Sequence, residues 1–163
     1  MTTAKLTGRT ALITGASKGL GKAMALALAQ AGARVVLVSR NREQLNETAA
    51  AVRKCGAEAF VFQTDVAEED QVLLLERGVI EQCGKIQILI NNAGITKHVP
   101  HADLDGLSAE DFQRLFGVNT IGPFQMIRAA RAQLEAGAKT SRRPSAVVNV
   151  SSVAGISGGG STR

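Results

Sequence analysis

Short apolar runs alternate with longer mixed stretches along most of the chain. Thr10–Thr14, Arg34–Ser39, Glu58–Gln63, Gln87–Ile90 and Ala146–Val150 are dominated by aliphatic, aromatic and β-branched side chains. Runs this short and this continuous predict strands buried on both faces, as in a parallel sheet. Between them, Lys22–Ala31, Glu43–Cys55, Glu68–Cys83 and Ser108–Leu134 carry Ala, Leu, Glu and Gln with few breakers and predict helices. Gly32, Gly56 and Gly84 stand where the first three of these should stop. Ser108 followed by Glu110 and Asp111 predicts a capped start for the fourth, and Gly122-Pro123 a bend within it. Ile95–Gly106 and Glu135–Ser145 read as loops. Strand alternating with helix, joined by right-handed crossovers, makes a doubly wound α/β fold with a parallel sheet, here as one domain over residues 1–163.

The join between the first strand and the first helix carries the strongest chemical signal. Gly15, Gly19 and Gly21 lie there, and strand, glycine turn and helix together aim backbone N–H groups at a phosphate. Side chains at these positions would hold a pyrophosphate off the backbone, and a Cβ penalises positive φ. Glycine turns also close ordinary strand–helix corners, but here the flanking strand and helix that a dinucleotide site demands are both present. Arg40, at the end of the second strand, falls about 20 residues beyond the glycines, where dinucleotide-binding domains read the ribose. An acid there would favour NAD. This chain has Ser39-Arg40 instead, with Lys18 inside the glycine turn, and two cations suit the 2′-phosphate of NADP. The other role open to Arg40 is the start of a polar loop through Asn41 and Arg42.

Composition narrows the partners. The 163 residues are 45% hydrophobic and 20% charged, which fits one globular core. The net charge is +5, yet the basic residues are scattered and aromatics make up only 3% of the chain, a pattern that argues against nucleic acid. Lys139, Arg142 and Arg143 form the tightest basic group and read as a solvated loop. No apolar run is long enough for a membrane span and Met1–Thr10 lacks a signal-peptide core, so a cytoplasmic location is expected. Cys55 and Cys83 lack metal-ligand spacing and read as reduced thiols; His98 and His101 read as loop residues, and no metal is expected.

Thr14–Gly21 has the spacing Thr-Gly-x-x-x-Gly-x-Gly, Asn91-Asn92-Ala93-Gly94 follows the fourth strand, and Ser151-Ser152 follows the fifth. In these motifs the chain resembles the short-chain dehydrogenase/reductase family, nearest in character to 3-oxoacyl-carrier-protein reductases. The resemblance implies the strand order 3-2-1-4-5 and a nicotinamide dinucleotide cofactor, which Lys18 and Arg40 make NADP, with NAD second. Cofactor contacts would fall to Gly15, Ser17, Lys18, Gly19, Leu20 and Gly21 in the turn and to Ser39 and Arg40 after the second strand. Asp65 and Val66, after the third strand, would touch adenine, although Asp65 also fits a cap for the helix near Glu68. Asn92, Ala93 and Gly94 would let the cofactor pack on backbone, with an Asn side chain tying neighbouring strands. Ser152 would hydrogen-bond a small-molecule carbonyl or alcohol. Asn119, in Val118-Asn119-Thr120, would bend its helix and hold a water, or simply be satisfied by backbone. The family's general acid, the tyrosine of a Tyr-x-x-x-Lys pair, has no counterpart, because the sequence contains no tyrosine and reaches Arg163 before that segment and the family's last strands. The expectation is therefore an oxidoreductase chain inactive by itself, or alternatively a dinucleotide-binding module without catalysis. In full-length form it would be a homo-oligomer pairing partly through Ser108–Leu134.

Overall fold

A computed structural model describes residues 5–100, 102–141 and 143–154. His101, Arg142 and the glycine-rich stretch from Gly155 lie outside the described residues. The elements run β1 (Thr10–Thr14), α1 (Gly19–Gln30), β2 (Arg34–Ser39), α2 (Arg42–Lys54), β3 (Ala59–Gln63), α3 (Glu69–Cys83) and β4 (Ile88–Asn91). A turn of 3-10 helix at Leu104–Gly106 precedes α4 (Ala109–Phe116), a π-helical segment (Gly117–Ile121), α5 (Gly122–Ser141) and β5 (Ala146–Asn149). The strands pair in parallel in the order β3-β2-β1-β4-β5. This is the predicted doubly wound sheet.

Side-chain alternation explains why the strands are apolar throughout. Leu12, Val36, Val38 and Leu89 join a core with Val72, Leu75 and Val79 of α3 and Met126, Ala130 and Leu134 of α5. Their neighbours Ala11, Ile13, Val35, Leu37, Ile88 and Ile90 join a second core with Ala25 and Ala29 of α1 and Leu45, Ala49 and Val52 of α2. Each central strand thus feeds one face and then the other, which a period of two requires when both faces are covered. The partial exposure of Val147 and Val148 marks β5 as the edge.

Four boundaries differ from the sequence expectations. Helix α1 begins at Gly19, not Lys22, because the glycine turn itself makes the first helical turn. Asp65 does not cap α3: Glu68 is the N-cap residue, and the Asp65 carboxylate accepts from the Ala67 N–H at 3.1 Å in a local turn. Where a bend is expected at Gly122-Pro123, the helix carries a π segment just before that pair, at Gly117–Ile121. Pro123 has no N–H to offer the Asn119 carbonyl, and the Gly122 N–H reaches back to the Gly117 carbonyl instead. Finally, Glu135–Ser141 is helix, not linker. Ala130, Leu134 and Gly137 continue the buried stripe, Gly137 sits where a Cβ would lie 2.5 Å from the Ile86 carbonyl, and Arg131 pairs with Glu135 one turn on. Lys139 accordingly sits on α5 and Arg143 in the loop that follows. The expected cap of the fourth helix is present as a reciprocal box between Ser108 and Asp111. Lys97 donates to the Asp111 carboxylate at 2.6 Å, and with the Ser108 donors this holds that carboxyl down to about 2.

Candidate functional site

A crevice of about 550 Å³ opens at the C-terminal ends of β1 to β4. Ligands of open α/β sheets bind at this edge, where the connections diverge to opposite faces. The β1–α1 turn contributes Gly15, Ser17 and Lys18; the end of β2 contributes Ser39, Arg40 and Asn41. Thr64, Asp65 and Val66 follow β3, and Asn92, Ala93 and Gly94 follow β4. Segments far apart in sequence therefore meet on one concave surface.

The glycines of the turn do different jobs. A Cβ at Gly15 would stand 2.9 Å from both the Ala93 Cα and the Asn92 amide nitrogen, and one at Gly21 only 2.1 Å from the Gly15 carbonyl oxygen. These two let β1, α1 and the β4 end press together. Gly19, at φ +55°, has open space beside it. Gly19, Leu20 and Gly21 form the first turn of α1 and are not part of the crevice wall, unlike the other predicted turn residues.

Thr14 and Asn92 lock the floor. The Asn92 amide donates to the Thr14 carbonyl at 3.0 Å and to the Gly15 carbonyl at 3.3 Å. In return, the Thr14 hydroxyl accepts from the Asn92 and Ala93 N–H groups, both at 3.0 Å. The predicted tie between strands is thus made by Asn92, and a second by the Asn91 amide donating to Asn149 at 2.9 Å. Thr14 was legible only as part of the glycine motif; its buried hydroxyl is the signal that pointed further. Thr14→Val keeps the shape but strips the acceptor from two N–H groups. The loss should be about 2–4 kcal/mol in urea unfolding, with Thr14→Ser close to wild type. A Val variant as stable as wild type would show that the β1–β4 tie lies elsewhere.

Charge is concentrated where β2 and β3 end. Lys18 and Arg40 line the same crevice, and the Arg40 guanidinium lies 3.7 Å from the Asp65 carboxylate. The Gln63 amide also holds the Arg40 carbonyl at 3.0 Å. Asn41 is spent locally, its side chain capping α2 by accepting from the Gln44 N–H. Gln44, Thr64, Ile95 and Val118 also line the crevice, and none of these was predicted. Gln44, Thr64 and Ile95 carry no motif and Val118 only adjoins the motif residue Asn119, so it is the fold that brings them there.

Asn119 stands beside Gly94 with its side chain pinned to Ile95: the oxygen accepts from the Ile95 N–H and the NH₂ donates to the Ile95 carbonyl, both at 2.9 Å. Backbone thus satisfies the side chain, which anchors the chain after β4 to the π segment. Ser152 follows β5, exposed, its hydroxyl accepting from the Ala154 N–H at 3.2 Å. Neither Asn119 nor Ser152 lines the crevice. Burial pushes the Cys83 thiol up to about 11, against a smaller opposing pull from Arg34, so it is inert at neutral pH. Among the described residues no His, Cys, Asp or Glu cluster suits a metal, and no helix is long and apolar enough to cross a membrane.

The sheet order, the glycine turn and the Asn92 lock together define a dinucleotide-fold chain of a particular kind. It belongs to the short chain dehydrogenase family, whose pattern matches residues 9–162. It is 36% identical over 154 residues to a 3-oxoacyl-[acyl-carrier-protein] reductase of Synechocystis sp., covering 94% of this chain and 59% of that protein. Among solved structures it resembles an NAD+-bound xylitol dehydrogenase (TM-score 0.83, 35% identity, 95% of this chain and 57% of that one). It likewise resembles a metagenomic short-chain oxidoreductase in complex with NADP (TM-score 0.78, 31% identity, 91% and 64%). The chain therefore spans little more than half the length of such relatives.

Proposed function

We propose that this chain is the NADP(H)-binding portion of a short-chain oxidoreductase acting on a small-molecule carbonyl or alcohol. The observation that carries the choice of NADP is that Lys18 and Arg40 line the same crevice, with no acid at the end of β2. The rest of the crevice fits a dinucleotide. The pyrophosphate would lie over the β1–α1 turn, where open space beside Gly19 leaves room for backbone approach, and Ser17 and Leu20 flank it. Adenine would rest between Asp65 and Val66, and the far half of the cofactor on Asn92, Ala93 and Gly94. Related structures with NAD+ and with NADP show that the family accommodates both, so the cations of this chain decide.

Asp65 opposes them, and magnitude settles the outcome. The Arg40–Asp65 pair is half-exposed on the arginine side and is worth at most about 1 kcal/mol. A contact from Arg40 to a phosphate dianion is worth about 1.5–3 kcal/mol. Arg40→Asp removes that contact and sets a second carboxylate beside Asp65. NADPH affinity should fall by about one to two powers of ten while NADH affinity holds, read by fluorescence titration. An unchanged NADPH/NADH ratio would remove Arg40 from the discrimination.

The bound nicotinamide supplies hydride chemistry. Ser152, after β5, would offer its hydroxyl to the substrate oxygen, while Asn119 braces the segment after Gly94. A second reading, a dinucleotide-binding module without catalysis, draws on the absence of tyrosine from the sequence. Exposed Phe112, Phe116 and Phe124 on α4 and α5 support homo-oligomer formation by the longer protein. A cytoplasmic location is in keeping with the reduced, buried Cys83.

A further inference from the structure

The sheet has a second charged opening at its other end. A cleft of about 850 Å³ lies where β1, β4 and β5 begin, lined by Lys5 and Arg9 from the segment before β1, Gln87 before β4, Thr140 and Ser141 at the end of α5, and Arg143 after it. Arg9 and Arg143 are far apart in the chain; the parallel pairing of β1, β4 and β5 brings their leading segments together. Among the described residues, no acidic one lines this cleft. Among the described residues, the ion pairs of the protein engage Arg34, Arg40, Lys97, Arg128 and Arg131, and none engages Lys5, Arg9 or Arg143. A further cation, Lys85, donates to the Thr140 hydroxyl at 2.7 Å.

One donor here lacks an acceptor. The Arg9 Nε is buried without a hydrogen-bond partner among the described residues, although the other end of its guanidinium donates to the Pro144 carbonyl at 2.5 Å. Gln87 is only 6% exposed, and its side-chain oxygen accepts from the Thr10 N–H at 2.7 Å. A buried donor like the Arg9 Nε is costly unless something accepts from it. Cations gathered without a counter-charge repel one another and favour whatever anion neutralises them.

The geometry points to an anion site in this cleft, separate from the cofactor crevice, that takes a multiply charged phosphate group of a small molecule. Phosphate suits it better than a single carboxylate because two guanidinium groups can each bind a pair of oxygens. The Ser141 hydroxyl already donates to the Arg143 carbonyl at 3.1 Å, so Lys5, Arg9 and Arg143 carry the binding. The site does not depend on the cofactor assignment, since it uses none of the same residues.

The probe is inorganic pyrophosphate, titrated calorimetrically into the 163-residue chain at physiological salt. Because pyrophosphate can also enter the crevice over the β1–α1 turn, Gly19→Val, whose side chain fills that space, serves as the reference protein. In that background, Arg9→Gln with Arg143→Gln should weaken the remaining binding by about tenfold or more. Lys5→Gln with Arg143→Gln keeps the Arg9–Pro144 hydrogen bond, so it guards against misfolding, and should weaken it by about three- to tenfold. Circular dichroism checks both. Equal affinity in reference and variants would overturn the proposal. So would the absence of saturable binding below about 1 mM in the reference, which would mark an adventitious ion only.

Discussion

The 163-residue chain should leave NADPH oxidation at background when offered a panel of carbonyl compounds. Reduction of a carbonyl leaves an alkoxide that needs a proton from a group within hydrogen-bond reach. Ser152 can donate a hydrogen bond, but an ordinary serine hydroxyl does not release its proton near neutral pH. His98 follows β4 and lines no part of the crevice. The family resemblance assigns the proton to a tyrosine, and this sequence contains none. Loss of a positioned general acid removes about 10²–10⁴ in rate. The substrate side of the pocket would lose its shape as well, since β5 here is an edge strand. The control is a chimera in which the C-terminal portion of the Synechocystis reductase follows Ser152. The chimera should turn over where the chain alone does not. Comparable rates from both would overturn the tyrosine argument and the role given to Ser152.

What the sequence revealed follows from the physics of a covered parallel sheet. Strands buried on both faces must be apolar at every position, so Arg34–Ser39 and its counterparts stood out as unbroken runs. The glycine turn was legible because its spacing is local, and Asn92 because it immediately follows a strand. The misses share a different cause. Gly19 reads as a helix breaker, yet the first turn of a helix needs no internal N–H partner, and glycine is tolerated there. Glu135–Ser141 looks polar as a composition, while its buried positions recur at helical spacing. The Arg40–Asp65 pairing and the meeting of Arg9 with Arg143 depend on strand order and register, which no local window contains. Thr14 looked like one more β-branched strand residue; its hydroxyl matters only because the β4 end lies against it.

Gly19 and Gly21, two residues apart, should fail in different ways when changed. At Gly21 a Cβ would sit 2.1 Å from the Gly15 carbonyl oxygen and 2.7 Å from the Asn92 amide nitrogen. The first neighbour is backbone, and Gly15 is itself held against Ala93, so neither can retreat cheaply. Overpacking a core commonly costs about 1–3 kcal/mol, and a clash with fixed backbone lies at or beyond the top of that range. A chain of this size has only about 5–15 kcal/mol in total. Gly21→Ala should therefore lower the urea midpoint sharply or prevent folding. Gly19 has no heavy atom within 4 Å of its would-be Cβ. Gly19→Val should fold, losing about 1–3 kcal/mol to the strain of a β-branched residue at positive φ. Its side chain would occupy the space the proposed pyrophosphate needs, so NADPH binding should be lost. Circular dichroism and urea unfolding follow the first effect, and fluorescence titration the second. Retained NADPH binding by a folded Gly19→Val would place the pyrophosphate away from the turn. A Gly21→Ala variant of wild-type stability would mean that α1 can shift off β1, and that the Gly15–Gly21–Asn92 contact does not set the crevice.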